Sequence, residues 1–296
     1  MSDSSLSKST PDKPTCSESA LPKPVSSEHL FSESQSPQVG SPNISCAIAK
    51  ALCGANTVTL SGRPFVLWLD SRFRAPQQQA DIDELLLQSV ETRQHQAVVR
   101  IWSNSPSLVV SRREQNWSGF TTAVASLKEK GHEIVLRRTG GTAVVHSPQV
   151  LNFSLCYYLP AADTFSVNAS YALLNTQVIN FLQSIGIVAT QGEVVGAYCP
   201  GRFDIVSDGR KLAGTAQRVK RIASGQNILS HLSLNVCNAL SRQDEIIDQY
   251  YTDCEQEFEI TPDLTTSVNN LLPDDKRYTS GLELGEQWAG FLARPH

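Results

Sequence analysis

None of the seven cysteines in this 296-residue sequence, at positions 16, 46, 53, 156, 199, 237 and 254, belongs to a Cys-x-x-Cys pair, and no His lies at zinc-ligand spacing from them. An odd, scattered set of thiols argues against a disulfide framework or a structural zinc, and fits a reducing compartment. No apolar run is long enough to span a bilayer. The most hydrophobic early stretch, Ile44 to Ala55, is short, starts far from Met1 and has no basic run before it, so it is not expected to act as a signal peptide. The expectation is a cytoplasmic chain with no membrane partner. An excess of basic residues is missing too: the net charge of -4 argues against nucleic acid as the main partner. The chain shows no internal repeat, and a monomer is the default expectation.

What is present divides the chain into three parts. Residues 1–45 are rich in Ser and Pro, contain a single aromatic residue, Phe31, and follow neither helical nor strand periodicity. Ordering them would cost more entropy than burial could return, so a disordered tail is expected there. Residues 46–240 are expected to form the main folded domain, and residues 241–296 a helical extension packed on it.

Within the second part, Val58 to Leu60 and Phe65 to Leu69 flank the turn Ser61-Gly62-Arg63 as a hairpin. Asp81 to Val90 has helical spacing with acids expected in its first turn. Ala97 to Trp102, Leu108 to Ser111 and Glu133 to Arg137 are expected as strands, and Phe120 to Lys130 and Ser170 to Ile185 as helices. Ile228 to Val236 alternates as a half-buried strand. Helices are expected over Arg242 to Phe258, Thr265 to Leu272 and Leu282 to Leu292. Strands and helices mix without strict alternation, which indicates an α+β fold around a mixed, mainly antiparallel β-sheet flanked by helices.

Two stretches carry chemistry. The first runs from Glu193 to Arg218 and holds Cys199 in a Tyr-Cys-Pro-Gly loop. Phe203 to Val206 is expected as a strand, Ser207-Asp208-Gly209-Arg210 as its turn, and Lys211 to Arg218 as the returning strand. The turn carries Lys211 back toward Cys199. A thiolate that attacks an acyl group, beside an ammonium that lowers the thiol pKa and steadies the oxyanion, is the minimum apparatus for acyl transfer. Taken singly, a lone Cys is more often a small buried hydrophobe and a lone Lys a solvated strand residue.

The second stretch is Arg137-Arg138-Thr139-Gly140-Gly141-Thr142-Ala143-Val144-Val145-His146. Paired glycines after a strand let backbone amides approach a carbonyl, carboxyl or phosphate, and two arginines can hold an anion. An isolated Gly-Gly is more often a tight turn, and an isolated His more often a structural residue. Arg210, Lys211, Arg218, Lys220 and Arg221 form a basic run on which an acidic carrier could dock, although such a run is commonly a solvated strand edge.

Three motifs in this order resemble the lipoate/octanoate protein ligase and transferase family, which shares its fold with biotin protein ligases. The first is Arg-Arg-x-Gly-Gly-x-Ala-Val, matched by Arg137, Arg138, Gly140, Gly141, Ala143 and Val144. The second is Leu-Asn-x-Ser, matched by Leu151, Asn152 and Ser154. The third is Asp-Gly-x-Lys-x-Ala-Gly-x-Ala-Gln-Arg, matched from Asp208 to Arg218. The resemblance covers about residues 60 to 240. Cys199-Pro-Gly-x-Phe-Asp, with Thr142 in place of a third loop glycine, is similar to the cysteine-type octanoyl transferases. It is closest to the amidotransferase branch, and the phosphate loop of biotin ligases is absent.

This resemblance implies Cys199 and Lys211 as catalytic residues. It further implies an acyl site formed by Arg137, Arg138, Thr139, Gly140, Gly141, Thr142, Ala143, Asn152, Gly214, Thr215 and Ala216, with His146 supporting the loop. The implied donor is octanoyl acyl carrier protein or the octanoylated glycine-cleavage H protein, the acceptor is a lipoyl domain of a 2-oxoacid dehydrogenase E2 subunit, and no cofactor is needed. Two alternatives remain open at this point. One is an ATP-dependent lipoate ligase, which would need ATP and Mg and in which Cys199 is incidental. The other is a non-catalytic carrier-binding module.

Overall fold

A computed structural model describes residues 48–53, 55–90, 97–237 and 240–294. The expected disordered tail, residues 1–45, lies outside the described residues. The chain forms β1 (Thr57–Leu60), β2 (Arg63–Asp70), α1 (Pro76–Ser89), β3 (Ala97–Trp102), β4 (Ser107–Ser111), α2 (Phe120–Glu129), β5 (Glu133–Arg137), β6 (Val144–His146), β7 (Val150–Pro160) and α3 (Val167–Ser184). It continues with β8 (Thr190–Gly192), β9 (Asp204–Ser207), β10 (Arg210–Ile222), β11 (Gly225–Asn235), α4 (Leu240–Asp253), α5 (Val268–Leu271) and α6 (Gly281–Leu292).

Among the described residues the main sheet has eight strands in the order β1-β2-β3-β7-β11-β10-β9-β8, and a second sheet has three, β5-β4-β6. Among the described strands, β2 with β3 and β4 with β5 are the parallel pairs, so the expected mixed, mainly antiparallel α+β fold is what the structure has. The hairpin joining β9 to β10 turns through Asp208 (φ 50°) and Gly209 (φ 72°), two left-handed residues that match the strand twist.

Helices cover both faces of the main sheet. On one face α6 and α3 close the largest core, where Trp288 stacks on Phe153 at 4.2 Å and on Phe181 at 4.9 Å. On the other face lie α1 and the helical residues 48–52, packed on Val98, Cys156 and Leu229. This double cover corrects the expectation for Ile228 to Val236: most of β11 is buried on both faces instead of alternating. The small sheet packs on α2 and α4 in a separate core that includes Tyr198. The C-terminal helices therefore share cores with both sheets.

Three helix readings change. The helix expected over Arg242 to Phe258 ends at Asp253, and Glu255 follows with φ 56°. α1 begins at Pro76, five residues before the expected start. Its first turn holds no acid, and Asp83 instead faces the sheet from mid-helix. Pro at the first helical position is the signal that marks the true start. Thr265 and Thr266, expected to open a helix, are extended: the Lys211 N–H donates to the Leu264 carbonyl and the Thr266 N–H to the Lys211 carbonyl, both at 2.8 Å. Ser267 then caps the single turn of α5.

Candidate active site

Cys199 lies in the loop between β8 and β9 with φ 42°, a left-handed conformation uncommon for a residue with a side chain. The residue is half-buried. The Gly140-Gly141 loop meets it directly. Gly141 has φ 101°, and a Cβ there would lie 2.9 Å from Cys199 Sγ and 2.7 Å from Arg137 Nη2. Glycine is required at 141 both for the backbone angle and for this approach. Arg137, at the end of β5, donates from Nη2 to the Thr142 carbonyl at 2.6 Å, and the same nitrogen stands 4.0 Å from Cys199 Sγ. The loop, its arginine and the thiol thus form one cluster.

Lys211 is fully buried, and this corrects its place in a surface basic patch. Its Nζ donates to Asp204 Oδ2 and to the Tyr198 carbonyl, each at 2.9 Å, and to the Cys199 carbonyl. These bonds use all three ammonium donors. A β-bulge between Lys211 and Ala213 breaks the pairing with β9 and re-aims the side chain toward the Cys199 loop. Gly214 leaves room for it, since a Cβ there would stand 3.3 Å from Nζ.

Asp204 is the residue that sequence reasoning passed over. Its carboxylate accepts from the Gly201 N–H at 2.8 Å and the Thr215 N–H at 2.9 Å as well as from Lys211. Burial pushes this carboxyl above its ordinary range, against the pull of Lys211 and the two amides. The signal was available: Asp204 ends the Cys-Pro-Gly-x-Phe-Asp run that begins at Cys199. Residues 261–266 also help to fix the site. The Thr261 N–H donates to the Gly196 carbonyl at 2.9 Å on the Cys199 loop, and Leu264 and Thr266 bracket Lys211.

Arg137 also lines an open pocket beside this cluster, with Arg138, Thr139 and His146 and with Glu84, Arg218 and Leu229 among its other walls. Arg218, like Lys211, is therefore not part of a free basic face. His146 Nε2 stands 3.1 Å from Ser233 Oγ, which in turn donates to Asn152 Oδ1 at 2.6 Å. With that hydroxyl proton engaged, His146 carries its proton on Nε2. Burial lowers its pKa to about 3, with His231 and Arg137 adding to the effect. His146 is thus neutral and fastened to β11 through Ser233. Ala143 is fixed by its N–H donating to Tyr251 Oη at 3.0 Å. Ala216 pairs with His231 across β10 and β11.

The pocket floor rests on a buried charge network. Arg100, fully buried, donates to Asp70 Oδ2 at 2.8 Å and to Asp83 Oδ1 at 2.8 Å. Burial alone would raise the Asp83 carboxyl; Arg100, His231 and Ser154 together hold it below its ordinary value. The network fastens α1 to β3.

A mixed sheet that brings a cysteine, a buried lysine and a glycine-pair loop to one point beside a pocket defines an acyl-transfer catalytic domain. The model of the lipoyl protein ligase A/B catalytic domain matches residues 75–278, and the chain belongs to that family. An octanoyl-[GcvH]:protein N-octanoyltransferase from Exiguobacterium is 32% identical over 211 residues, 69% of this chain and 72% of that protein. The enzyme of the same description from Geobacillus kaustophilus is 32% identical over 170 residues, 57% of this chain and 58% of its own length, so this second match spans less than two thirds of that relative. Among solved structures, lipoate-protein ligase A bound with ATP superimposes with a TM-score of 0.53 at 18% identity, covering 75% of this chain and 81% of that one, a likeness of fold.

Proposed function

We propose that this enzyme moves an octanoyl group from a lysine of the glycine-cleavage H protein to a lysine of another lipoyl domain, through a thioester on Cys199. The observation that carries the reading is the close approach of Cys199 Sγ to Gly141, where a Cβ would lie 2.9 Å from the sulfur, together with the hold of buried Lys211 on the Cys199 carbonyl. The relatives named for octanoyl transfer from GcvH support the choice of donor.

In the first half-reaction the Cys199 thiolate attacks the octanoyl-lysine carbonyl. The C–N bond breaks, the proton given up by the Cys199 thiol passes to the departing lysine nitrogen, and the thioester remains; the second half-reaction returns a proton from the acceptor amine. In the second, the acceptor lysine amine attacks the thioester, and Cys199 leaves as thiolate. The first half is uphill and the exchange of one amide for another is close to neutral, so no nucleotide is required. Lys211 reaches the developing oxyanion by exchanging one of its two carbonyl partners for it, while Asp204 keeps the ammonium in place. The acyl chain occupies the pocket beside Arg137, where each buried methylene contributes about 0.8 kcal/mol.

The test is transfer from octanoylated H protein to an apo lipoyl domain without ATP. Wild type should transfer and Cys199→Ala should not. Transfer by Cys199→Ala, or strict dependence on ATP with free lipoate or octanoate, would overturn the reading.

A further inference from the structure

The pocket is lined both by Arg137, Arg138 and Thr139, which lead into the Gly-Gly loop, and by Glu84, Arg218 and Leu229. Along β10, Gly214, Ala216 and Arg218 alternate onto one face, and across the ladder they meet Ser233, His231 and Leu229 of β11. Gly214 marks the reacting end, because it lies against Lys211 Nζ. From there the same face of β10 carries Ala216 next and then Arg218. Arg218 pairs with Glu84 of α1 across the pocket, beside Leu229. Glu84 is also held by Gln88 Nε2 at 2.8 Å, and both partners of the ion pair are mostly buried.

We propose that the Arg218–Glu84 ion pair, with Leu229, is the end wall that sets the length of the acyl chain; the proposal rests on the acyl-transfer reading above. The dimensions agree. At about 3.4 Å per residue, the strand from Gly214 to Arg218 spans roughly 14 Å. An extended octanoyl chain with bonds of about 1.5 Å measures roughly 9 Å from carbonyl carbon to methyl. A methyl packed on a side-chain stem needs about 4 Å more. The apolar stems of Arg218 and Glu84, together with Leu229, receive that methyl while the charged heads stay paired. A chain two methylenes longer would have to part the pair and leave a mostly buried carboxylate without its cation. A chain two methylenes shorter leaves the end unfilled and loses about tenfold or more in binding.

The experiment follows acyl loading of Cys199 by intact mass, using H protein carrying hexanoyl, octanoyl, decanoyl or dodecanoyl groups. Wild type should load octanoyl at least tenfold faster than decanoyl. Arg218→Ala should bring decanoyl to within about threefold of octanoyl, and Leu229→Phe, which fills the same end, should shift preference toward hexanoyl. Wild-type preference retained in both variants overturns the end wall and leaves acyl transfer standing. No adduct of any length on wild type at large donor excess, together with no transfer to an apo lipoyl domain, overturns both.

Discussion

Lys211 and Asp204 form a buried ion pair, Nζ to Oδ2 at 2.9 Å, and the same carboxylate accepts the amides of Gly201 and Thr215. One side chain therefore fixes the Cys199 loop, the β10 backbone and the lysine. Asp204→Ala would leave the ammonium uncompensated in the interior, a loss of about 3–5 kcal/mol. Urea denaturation should show that loss, with Asp204→Asn intermediate because its carbonyl oxygen can still accept one amide. Equal stability of wild type and Asp204→Ala would mean that the pair does not hold the site.

Gly141→Ala tests the meeting of the loop with the thiol. The new methyl would fall 2.9 Å from Cys199 Sγ and 2.7 Å from Arg137 Nη2, on a backbone with φ 101°. Backbone strain of about 1–2 kcal/mol is expected, with octanoyl transfer falling more than tenfold while the fold persists. Circular dichroism beside a transfer assay separates the two effects; unchanged transfer would contradict the placement.

His146 gives the fold a pH dependence. Its pKa is about 3 in the folded chain against 6.5 when unfolded, so below pH 6.5 the unfolded chain takes up a proton that the folded chain refuses. Stability is therefore lost as pH falls from about 6.5 toward 3. Between pH 7 and 5.5 the loss from this group is about 1 kcal/mol. His146→Phe should flatten that part of the profile, measured by denaturation at each pH.

Much of this arrangement is legible in the order of residues. Asp208-Gly209 between two strand-like runs identifies the hairpin that returns Lys211 to Cys199, and Gly140-Gly141 after a strand identifies the loop that meets the thiol. Other parts depend on partners distant in the chain. Arg100 interrupts an apolar strand without explanation until Asp70 and Asp83 arrive from 30 and 17 residues away. The path of residues 261–266 beside Lys211 is set by partners distant in the chain as well, Gly196 for Thr261 and Lys211 for Leu264 and Thr266.

The C-terminal helices are expected to be integral to the catalytic domain. Trp288 is fully buried between Phe153 and Phe181, so Trp288→Ala should cost about 3–5 kcal/mol and lower the thermal midpoint, as calorimetry would read. A midpoint within a degree or two of wild type would show that α6 is dispensable to the core.

The most direct test of the central claim is the intact mass of wild type and Cys199→Ala after incubation, without ATP, with octanoylated H protein and separately with octanoyl acyl carrier protein. The account predicts an octanoyl adduct on wild type alone, formed from the H-protein donor and released by hydroxylamine. Absence of an adduct on wild type with either donor, together with lipoylation by Cys199→Ala supplied with lipoate and ATP, would contradict it.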